Sequence, residues 1–371
     1  MSKITFNNRT SPFFDALRER IDNYFKEEKI KPTGNFKLYS KTIILVSVAI
    51  FVYSMLVFAN LPIWLSIVFC GLMGLTFASI GFNVMHDGAH DSYSTNKSVN
   101  KLMSYSLNLM GGSSFMWKVK HNIVHHTFTN IEGVDDDIDV KPFMRVNEQQ
   151  ERYWFHRFQH VYWFLLYGAT YFMWIFWMDF HKYFTRKIGP TPIRKMSVSE
   201  HFGFWITKLS YLGLFIGLPI FLKGWVATII GYSVILFVTG LTIAVVFQLA
   251  HVVGDCQFPT PDPDSNKIEE EWALHQVHTT ANFATKNKIV SWLMGGLNFQ
   301  VEHHLFPRIS HIHYPAISKL VRETCQEFNV KYIEYPTVLS AIGAHIKHLR
   351  ELGRPEMASS CWMLDVVRLR D

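Results

Sequence analysis

The sequence predicts an all-α integral membrane protein, with four transmembrane helices in two hairpins beneath a cytosolic helical cap. Of its 371 residues, 49% are hydrophobic and only 18% are charged, a composition typical of membrane proteins. Two long stretches lack formal charge, and basic residues lie beside them. These features together indicate helices that cross a bilayer.

The first uncharged stretch predicts one helical hairpin. Residues 42–85 contain no formal charge over 44 positions. At ~1.5 Å per residue, a helix of this length would cross a ~30 Å hydrocarbon core about twice. Pro62 marks the reversal, which predicts spans at about 42–61 and 63–85.

The second uncharged stretch, residues 224–250, predicts another hairpin. The preceding run, from about 202 to 222, contains only Lys208, close enough to one end for its charge to reach the polar interface. We therefore expect spans at about 202–222 and 225–248.

A third apolar segment, residues 161–178, could span by length alone. Nine of its 18 residues are aromatic, and a basic cluster follows it, as expected of an interfacial or re-entrant helix. If this segment crossed, the chain after Ala250 would emerge opposite His86. We predict that it does not cross, which leaves both termini and the polar segments on the cytosolic face.

The rest of the chain is predicted to be cytosolic. Residues 1–40 lack the apolar core of a signal peptide. Within them Ser11 and Pro12 precede an apolar periodicity that includes Leu17 and Ile21, which predicts a capped amphipathic helix on the membrane surface or against the cytosolic body. A membrane domain, 41–320, and a cytosolic C-terminal segment, 321–371, complete the predicted organisation.

Charge and cysteine usage exclude several classes of protein. The net charge is +6, but the basic residues cluster beside apolar runs, which is the positive-inside pattern and does not indicate nucleic-acid binding. The four cysteines are scattered and predict neither a disulfide framework nor a thiolate metal site.

Histidines cluster where the predicted spans leave the membrane. The motif HDGAH places His86 and His90 four residues apart, on one side of a helix. The motif HNIVHH repeats that offset with His121 and His125 and adds a third histidine about 100° around the helix. Four further motif positions and one histidine after the fourth span complete the candidate set: His126, Gln300, His303, His304 and His251.

Eight imidazoles are too many for one tetrahedral ion and suit two metals with open coordination positions. The cap is therefore predicted to carry a di-metal site. Imidazole alone admits iron, copper, zinc or nickel. His251 by itself could equally be a histidine buried in helix packing.

The motifs HX3H, HX3HH and QX2HH, in this order, resemble those of the integral-membrane histidine-box fatty acid desaturases. The resemblance runs from roughly residue 40 to 320. With FQLAH after the fourth span and NFQVEHHLFP later, the QX2HH box most resembles front-end acyl desaturases, which place a cis double bond between the carboxyl end and an existing double bond. This implies a delta-5 or delta-6 type of O₂-dependent enzyme acting on an acyl-CoA or acyl-lipid.

The resemblance also implies two iron ions as cofactors. It implies as their ligands His86, His90, His121, His125, His126, His251, His303 and His304. Gln300 would stand in the variant position, where it either reaches the metals weakly, through its amide oxygen or a water, or packs the helix.

One departure from the family pattern concerns electron supply. Many front-end desaturases carry a fused cytochrome b5 domain with an HPGG motif, which this sequence lacks. A separate ferredoxin or cytochrome b5 is therefore expected as the electron donor. The same absence favours a bacterial inner membrane.

The chemistry favours the same interpretation. Removing hydrogen from an unactivated methylene requires a redox metal and O₂, and a lipid-dissolved acyl chain requires an apolar tunnel. A hydroxylase or ketolase of the same superfamily remains an alternative. A metal transporter or sensor would need polar residues within its spans, whereas the first hairpin has no formally charged side chain.

Several polar residues near the boxes have more than one interpretation from the sequence. Asp87 and Asp91 either hydrogen-bond ligand imidazoles or face solvent. The acidic run at residues 135–139 either orients ligand histidines and supports the water network of the site or, as is commoner for a charge run, forms a solvated face. Glu302 lies either on the surface or behind the histidines. For His275 and His278 a place on the helix surface is favoured over the site, and the remaining histidines are assigned to interfaces or the surface.

Overall fold

The computed structural model of the protein describes residues 4–8 and 11–354. Cys361 and the end of the predicted C-terminal segment lie outside the described residues. Within them, five helices are long and apolar enough to cross a membrane. In chain order these first to fifth long helices are Phe36–Phe58, Ile63–Ala89, Trp154–Thr185, Val198–Lys223 and Trp225–His251.

The first, second, fourth and fifth long helices correspond to the four predicted spans, with their ends shifted by several residues. The first hairpin turns between Phe58, where one helix ends, and Pro62, which directly precedes the next. The second turns at Gly224, whose φ of 83° is in the left-handed region that glycine adopts without strain. The protein is therefore helical and multi-pass.

The third long helix contains the predicted interfacial segment and packs along the fifth. Gly240 makes this approach possible, because a Cβ there would lie 2.6 Å from the carbonyl oxygen of Gly168. Its length, 32 residues, would also allow it to cross. The number of spans therefore stays a prediction.

Both ends of the third long helix are tied to the side of the molecule that bears the histidines. Its start packs against the helix Val338–Gly353, in which His345 Nδ1 lies 2.6 Å from the carbonyl oxygen of Val252, beside His251. Near its end, Lys182 Nζ lies 2.6 Å from a carboxylate oxygen of Asp136. Both ends of this helix therefore contact segments that adjoin the histidines.

Lys208 is not directed away from the protein, as a lysine reaching for the polar interface would be. Its ammonium is buried and lies 2.8 Å from Asp179 Oδ2. It also donates to the carbonyl oxygens of Gly111 and Ile175. Ile175 belongs to a π-helical turn, where the α-helical hydrogen-bond pattern is interrupted. A buried lysine with these partners joins the third and fourth long helices.

The long helices are not uniform. The first and fifth long helices are α-helical throughout. The α-helical parts of the second, third and fourth are Ile63–Ile80, His86–Ala89, Gln159–Met173, Asp179–Thr185, Val198–Leu212 and Leu218–Lys223. The intervening π turns are Gly81–Met85, Trp174–Met178 and Gly213–Gly217, and a 3₁₀ turn, Trp154–Phe158, begins the third.

Shorter elements build the cap over the histidines. The helices are Pro12–Glu27, Lys97–Ser104, Ser106–Leu109, Ser114–Lys118, Val119–His125 (π), His126–Phe128, Trp272–His278, Lys288–Leu293, Gln300–Leu305, His311–His313 (3₁₀), Tyr314–Glu327 and Val338–Gly353. Among the described residues there are three pairs of two-residue strands. Thr5–Phe6 pairs with Lys267–Ile268 and Asn282–Phe283 with Glu334–Tyr335 in parallel, and Lys187–Ile188 pairs with Thr191–Pro192 antiparallel.

The N-terminal helix Pro12–Glu27 lies against this cap. Its apolar side chains Phe13, Leu17 and Ile21 are buried against the helices Trp272–His278 and Tyr314–Glu327. Of the two predicted positions, the structure shows the one against the body of the protein. Ser11 precedes the helix but makes no side-chain capping hydrogen bond.

Candidate metal centre

The structure brings all eight predicted histidines together as two neighbouring groups. We call the first histidine group His86, His90, His121 and His303, and the second His125, His251 and His304; within each, ligand atoms lie within 4.8 Å of one another. His126 lies between the groups, beside His303 and His304. All eight side chains are buried.

A π-helical turn decides how the second box is divided between the groups. The predicted α-helical spacing pairs His121 with His125, but residues Val119–His125 are π-helical. In that turn the N–H of His126 donates to the carbonyl oxygen of His121, and their Nε2 atoms are 3.3 Å apart. His125 is thereby directed to the second group. Another π turn, Gly81–Met85, directly precedes His86.

Four of the histidines have a hydrogen-bond partner at Nδ1. His125 Nδ1 lies 3.0 Å from Asp135, and His304 Nδ1 lies 2.8 Å from Oε1 of Gln276. The other two partners are the carbonyl oxygen of Thr279 for His251 and the hydroxyl of Tyr314 for His303. The Asp137 carboxylate is 3.7 Å from His121 Nδ1, beyond hydrogen-bond distance. A neutral imidazole that donates from Nδ1 keeps its Nε2 lone pair free for a metal.

Protonation of these rings is disfavoured at most positions. Burial, reinforced by neighbouring imidazoles, lowers the pKa of His126, His303 and His304 well below the usual value. Burial also lowers the pKa of His121 to about 4. His125 differs: burial alone would lower its pKa, but the Asp135 carboxylate outweighs that effect and raises it.

Unpartnered atoms at the centre of the site fit metal ions. The Nε2 atoms of His90, His125 and His303 are buried without a hydrogen-bond partner among the described residues. His86 Nε2 and His121 Nε2 are 3.3 Å apart, where two lone pairs would repel unless a proton or a cation lay between them. Neutral, buried imidazoles with unshared lone pairs are the donor set that transition metals bind.

An apolar cavity of about 620 Å³ reaches the histidines. Its lining descends along the fifth long helix from Gln248 to Thr239 and includes Phe77 and Tyr171 from neighbouring helices. Thr239 is twelve residues before His251, ~18 Å along the helix axis. Charged residues also line the cavity near the second box: Lys120, Asp136, Asp137, Asp139 and Lys141.

Sequence comparisons identify the family. The fatty acid desaturase family matches residues 58–336, most of the chain. The chain belongs to the fatty acid desaturase family. This desaturase is therefore an oxidoreductase that acts on fatty acyl chains, rather than a metal transporter or sensor.

Named relatives are similar over almost the whole chain. An acyl-lipid (8-3)-desaturase of Physcomitrium patens is 38% identical, over 93% of this chain and 72% of its own length. An sn-1 linoleoyl-lipid 6-desaturase of Synechocystis is 36% identical, over 92% of this chain and 96% of its own. The protein of the same name from Arthrospira platensis is 35% identical, over 95% of each chain.

The acidic run that follows the second box of the desaturase is not the solvated face that the sequence favoured. Asp135 is buried against His125. Asp137 also faces inward, where Lys120 keeps the pKa of its carboxyl group low despite burial. Asp139, by contrast, is exposed beside Lys141. The run lies in turns, where no helical or strand periodicity indicates which side chains are buried.

The structure also shows the surroundings of Asp87, Asp91 and Glu302, for which the sequence left alternatives. Asp87 contacts no box histidine; its carboxylate binds Ser310 and the Nδ1 of His311. Asp91 is exposed. Glu302 is fully buried, hydrogen-bonded to Asn282 and Tyr332, and burial raises its pKa to about 7. It therefore lies neither on the surface nor against the histidines.

Histidines outside the boxes occupy mixed positions. His275 is fully buried rather than on the helix surface, whereas His278 pairs with Glu270 at 2.9 Å and is partly exposed. His311, assigned to an interface or the surface, is buried between Asp87 and Lys41 Nζ, the latter 3.0 Å away. None of these three belongs to either histidine group.

Gln300 lies at the second histidine group. Its Nε2 is 3.0 Å from His251 Nε2 and 3.4 Å from His304 Nε2, while its Oε1 has no partner among the described residues. Turning the amide by half a turn would exchange these two atoms. The side chain is thus placed where the variant position of the QX2HH box was expected to reach the metals.

Proposed function

We propose that this desaturase is a front-end enzyme, of the delta-5 or delta-6 type, acting on acyl chains esterified to membrane lipids. The new cis double bond would lie between the carboxyl end and an existing double bond. The observation that carries the proposal is the apolar cavity ending at two adjoining groups of neutral histidines. The names of the relatives, acyl-lipid and linoleoyl-lipid desaturases, favour an acyl-lipid over an acyl-CoA substrate.

We infer that the eight histidines hold two iron ions. Bound iron would supply the redox chemistry in which two hydrogen atoms from adjacent carbons, two electrons and two protons reduce O₂ to two waters. The chain itself orients the imidazoles through their Nδ1 partners and surrounds the acyl chain with apolar walls that exclude water. A separate ferredoxin or cytochrome b5 would supply the electrons.

We infer the orientation in the membrane from the same arrangement. The histidine groups, the N-terminal helix and both ends of the third long helix lie on one side of the bundle. Basic residues at the helix flanks favour the cytosol for that side. We propose four spans in a bacterial inner membrane, with the site facing the cytosol.

Lipid analysis tests the reaction. The protein is expressed in a host without polyunsaturated lipids, defined fatty acids are supplied, and double bonds are located by mass spectrometry. A new double bond on the carboxyl side of an existing one is expected. A hydroxylated or keto product, or a double bond on the methyl side, would contradict the proposal.

Metal analysis tests the cofactor. The purified enzyme should contain about two irons, and His125→Ala, His251→Ala or His303→Ala should abolish turnover and lower the iron content. His278→Ala is the matched control, since that ring lies outside both groups. Stoichiometric zinc without iron in active enzyme would contradict the assignment.

A further inference from the structure

One buried amide in the cavity wall is used neither by the histidines nor by the protein scaffold. Gln248 lies on the fifth long helix, three residues before His251, and its side chain lines the cavity. It is only 4% exposed, and its Oε1 has no hydrogen-bond partner among the described residues. Because buried amide groups are normally hydrogen-bonded, this position calls for a partner from a ligand.

Gln300 also places a side-chain amide in the cavity wall, but unlike Gln248 it contacts the histidines. The Gln300 amide lies within 3.0 Å of His251 Nε2 and so belongs to the metal centre. Gln248 is displaced from His251 by ~4.5 Å along the helix, toward the membrane interior. The cavity continues past it to Ala244 and Thr239.

An acyl chain in this cavity has a defined direction. Its ester and polar carrier remain with the charged lining residues, such as Lys120 and Lys141, while the methyl end enters the apolar part beside Thr239. When the carbons to be desaturated lie at the histidines, Gln248 therefore faces carbons a short distance toward the methyl end. On the proposed front-end reaction, that is the side on which the existing double bond lies.

An amide can distinguish a double bond from saturated carbons. Its N–H groups donate weakly to π electrons, and its oxygen accepts weakly from C–H groups, which are more polarised beside a double bond. A saturated chain offers the amide almost no partner, so the polar group stays buried and unsatisfied. Either end of the amide can face the chain, since a half-turn exchanges them.

We propose that Gln248 recognises the existing double bond of the substrate and so sets the preference for an unsaturated acyl chain. This inference rests on the proposed front-end function. It assigns Gln248 to substrate selection, separate from metal binding.

The test compares two lipids, one with and one without the existing double bond on the methyl side of the carbons to be desaturated. The product of the wild-type enzyme identifies those carbons. Gln248→Leu should lower the preference for the unsaturated lipid by about two- to fivefold, the contribution of one weak hydrogen bond. The ratio of kcat/KM values is measured with both lipids in competition. Gln248→Met, which keeps the side-chain length, should behave in the same way.

Two controls separate recognition from general damage. Both variants should retain the wild-type iron content. Thr228→Val removes a buried hydroxyl from the same helix as Gln248, but that hydroxyl donates to the carbonyl oxygen of Gly224 and lies outside the cavity lining, so the preference should stay as in wild type. An unchanged lipid preference in Gln248→Leu, or an equal loss with both lipids, would overturn the inference.

A binding measurement tests whether Gln248 recognises the double bond without requiring the reaction to occur. Dissociation constants of the same two lipids for the iron-loaded protein, without O₂ or reductant, should differ in wild type and converge in Gln248→Leu. If wild type fails to make a front-end product, the proposed function fails, yet this comparison still tests whether Gln248 selects the double bond. Equal binding of the two lipids by wild type would contradict it.

Discussion

Each of four proposed ligand histidines is held at Nδ1 by a residue from elsewhere in the chain. The partners are chemically diverse: a carboxylate, an amide oxygen, a backbone carbonyl and a phenol. They share one effect, which is to present Nε2 to the centre. Asp135 is the clearest case, since both it and His125 are buried.

Asp135→Asn tests this effect. The amide keeps the shape but removes the charge that supports His125, so metal affinity or activity should fall about 10- to 100-fold. The iron retained after dialysis and the product formed are the measurements. Asp264→Asn, at an exposed position outside the cavity lining, should behave like wild type; equal loss in both variants would contradict a specific role for Asp135.

Gln300 offers a second test. Gln300→Ala removes the amide beside His251 and His304 and should lower activity sharply, whereas Gln300→His should retain part of it, because an imidazole can also coordinate metal. Activity is measured as unsaturated product per bound iron. Full activity in the alanine variant would assign Gln300 to helix packing alone.

At the level of elements, π turns position groups for the histidine site and for contacts between helices. One turn divides the second histidine box between the two groups, and another leaves the carbonyl oxygen of Ile175 to accept from Lys208. That lysine and Asp179 form a buried ion pair between the third and fourth long helices. Removing one partner of such a buried pair lowers the stability of the protein strongly, because the other charge stays buried and unpaired.

Lys208→Met should therefore destabilise the protein by ~3–5 kcal/mol, because Asp179 is left buried without its cation. Denaturation in detergent measures the loss. Adding Asp179→Leu should restore part of the stability. Lys187→Met, at an exposed position, should change stability by no more than about 0.5 kcal/mol; an equal effect at Lys187 would argue against the ion pair as the cause.

The third long helix yields a topological prediction. If it is re-entrant, single cysteines at the exposed positions Lys101, Lys187 and Asp262 will be labelled from the same side of sealed vesicles. A cysteine at Asn60, in the first hairpin turn, should be labelled only from the other side. Opposite labelling of positions 101 and 187 would show that the helix crosses.

At the scale of the whole molecule, the second, third and fifth long helices enclose one cavity below the cap. On the proposed function, its apolar lining would hold an acyl chain and the histidines beneath the cap would hold the metals. The depth of the cavity should therefore limit chain length. Ala244, ~10 Å along the helix from His251, lies in its wall.

Ala244→Phe should fill that part of the cavity. Longer acyl chains should be converted about ten- to a hundredfold more slowly, as expected of overpacking, while shorter chains and iron content should be little affected. Acyl chains of graded length, analysed by mass spectrometry, give the measurement. Ala227→Phe, exposed on the same helix, is the control; loss with all lengths alike would argue against a depth limit.

Local features of the sequence determined the membrane class, both hairpins and the eight histidines. A bilayer demands a continuous apolar helix, and ligands on one helix must be three to five residues apart, so both signals lie within short stretches such as residues 42–85 and 121–126. The family motifs depend on the same local spacing.

Only the tertiary structure decided how those histidines divide and what supports them. The π turn that pairs His121 with His126 departs from the regular spacing that sequence periodicity assumes. Gln276 reaches His304, and Asp179 reaches Lys208, across long separations in sequence. A buried charge or amide is stable only beside a particular partner, and that partner is chosen by the packing of distant segments rather than by the residues next to it in the chain.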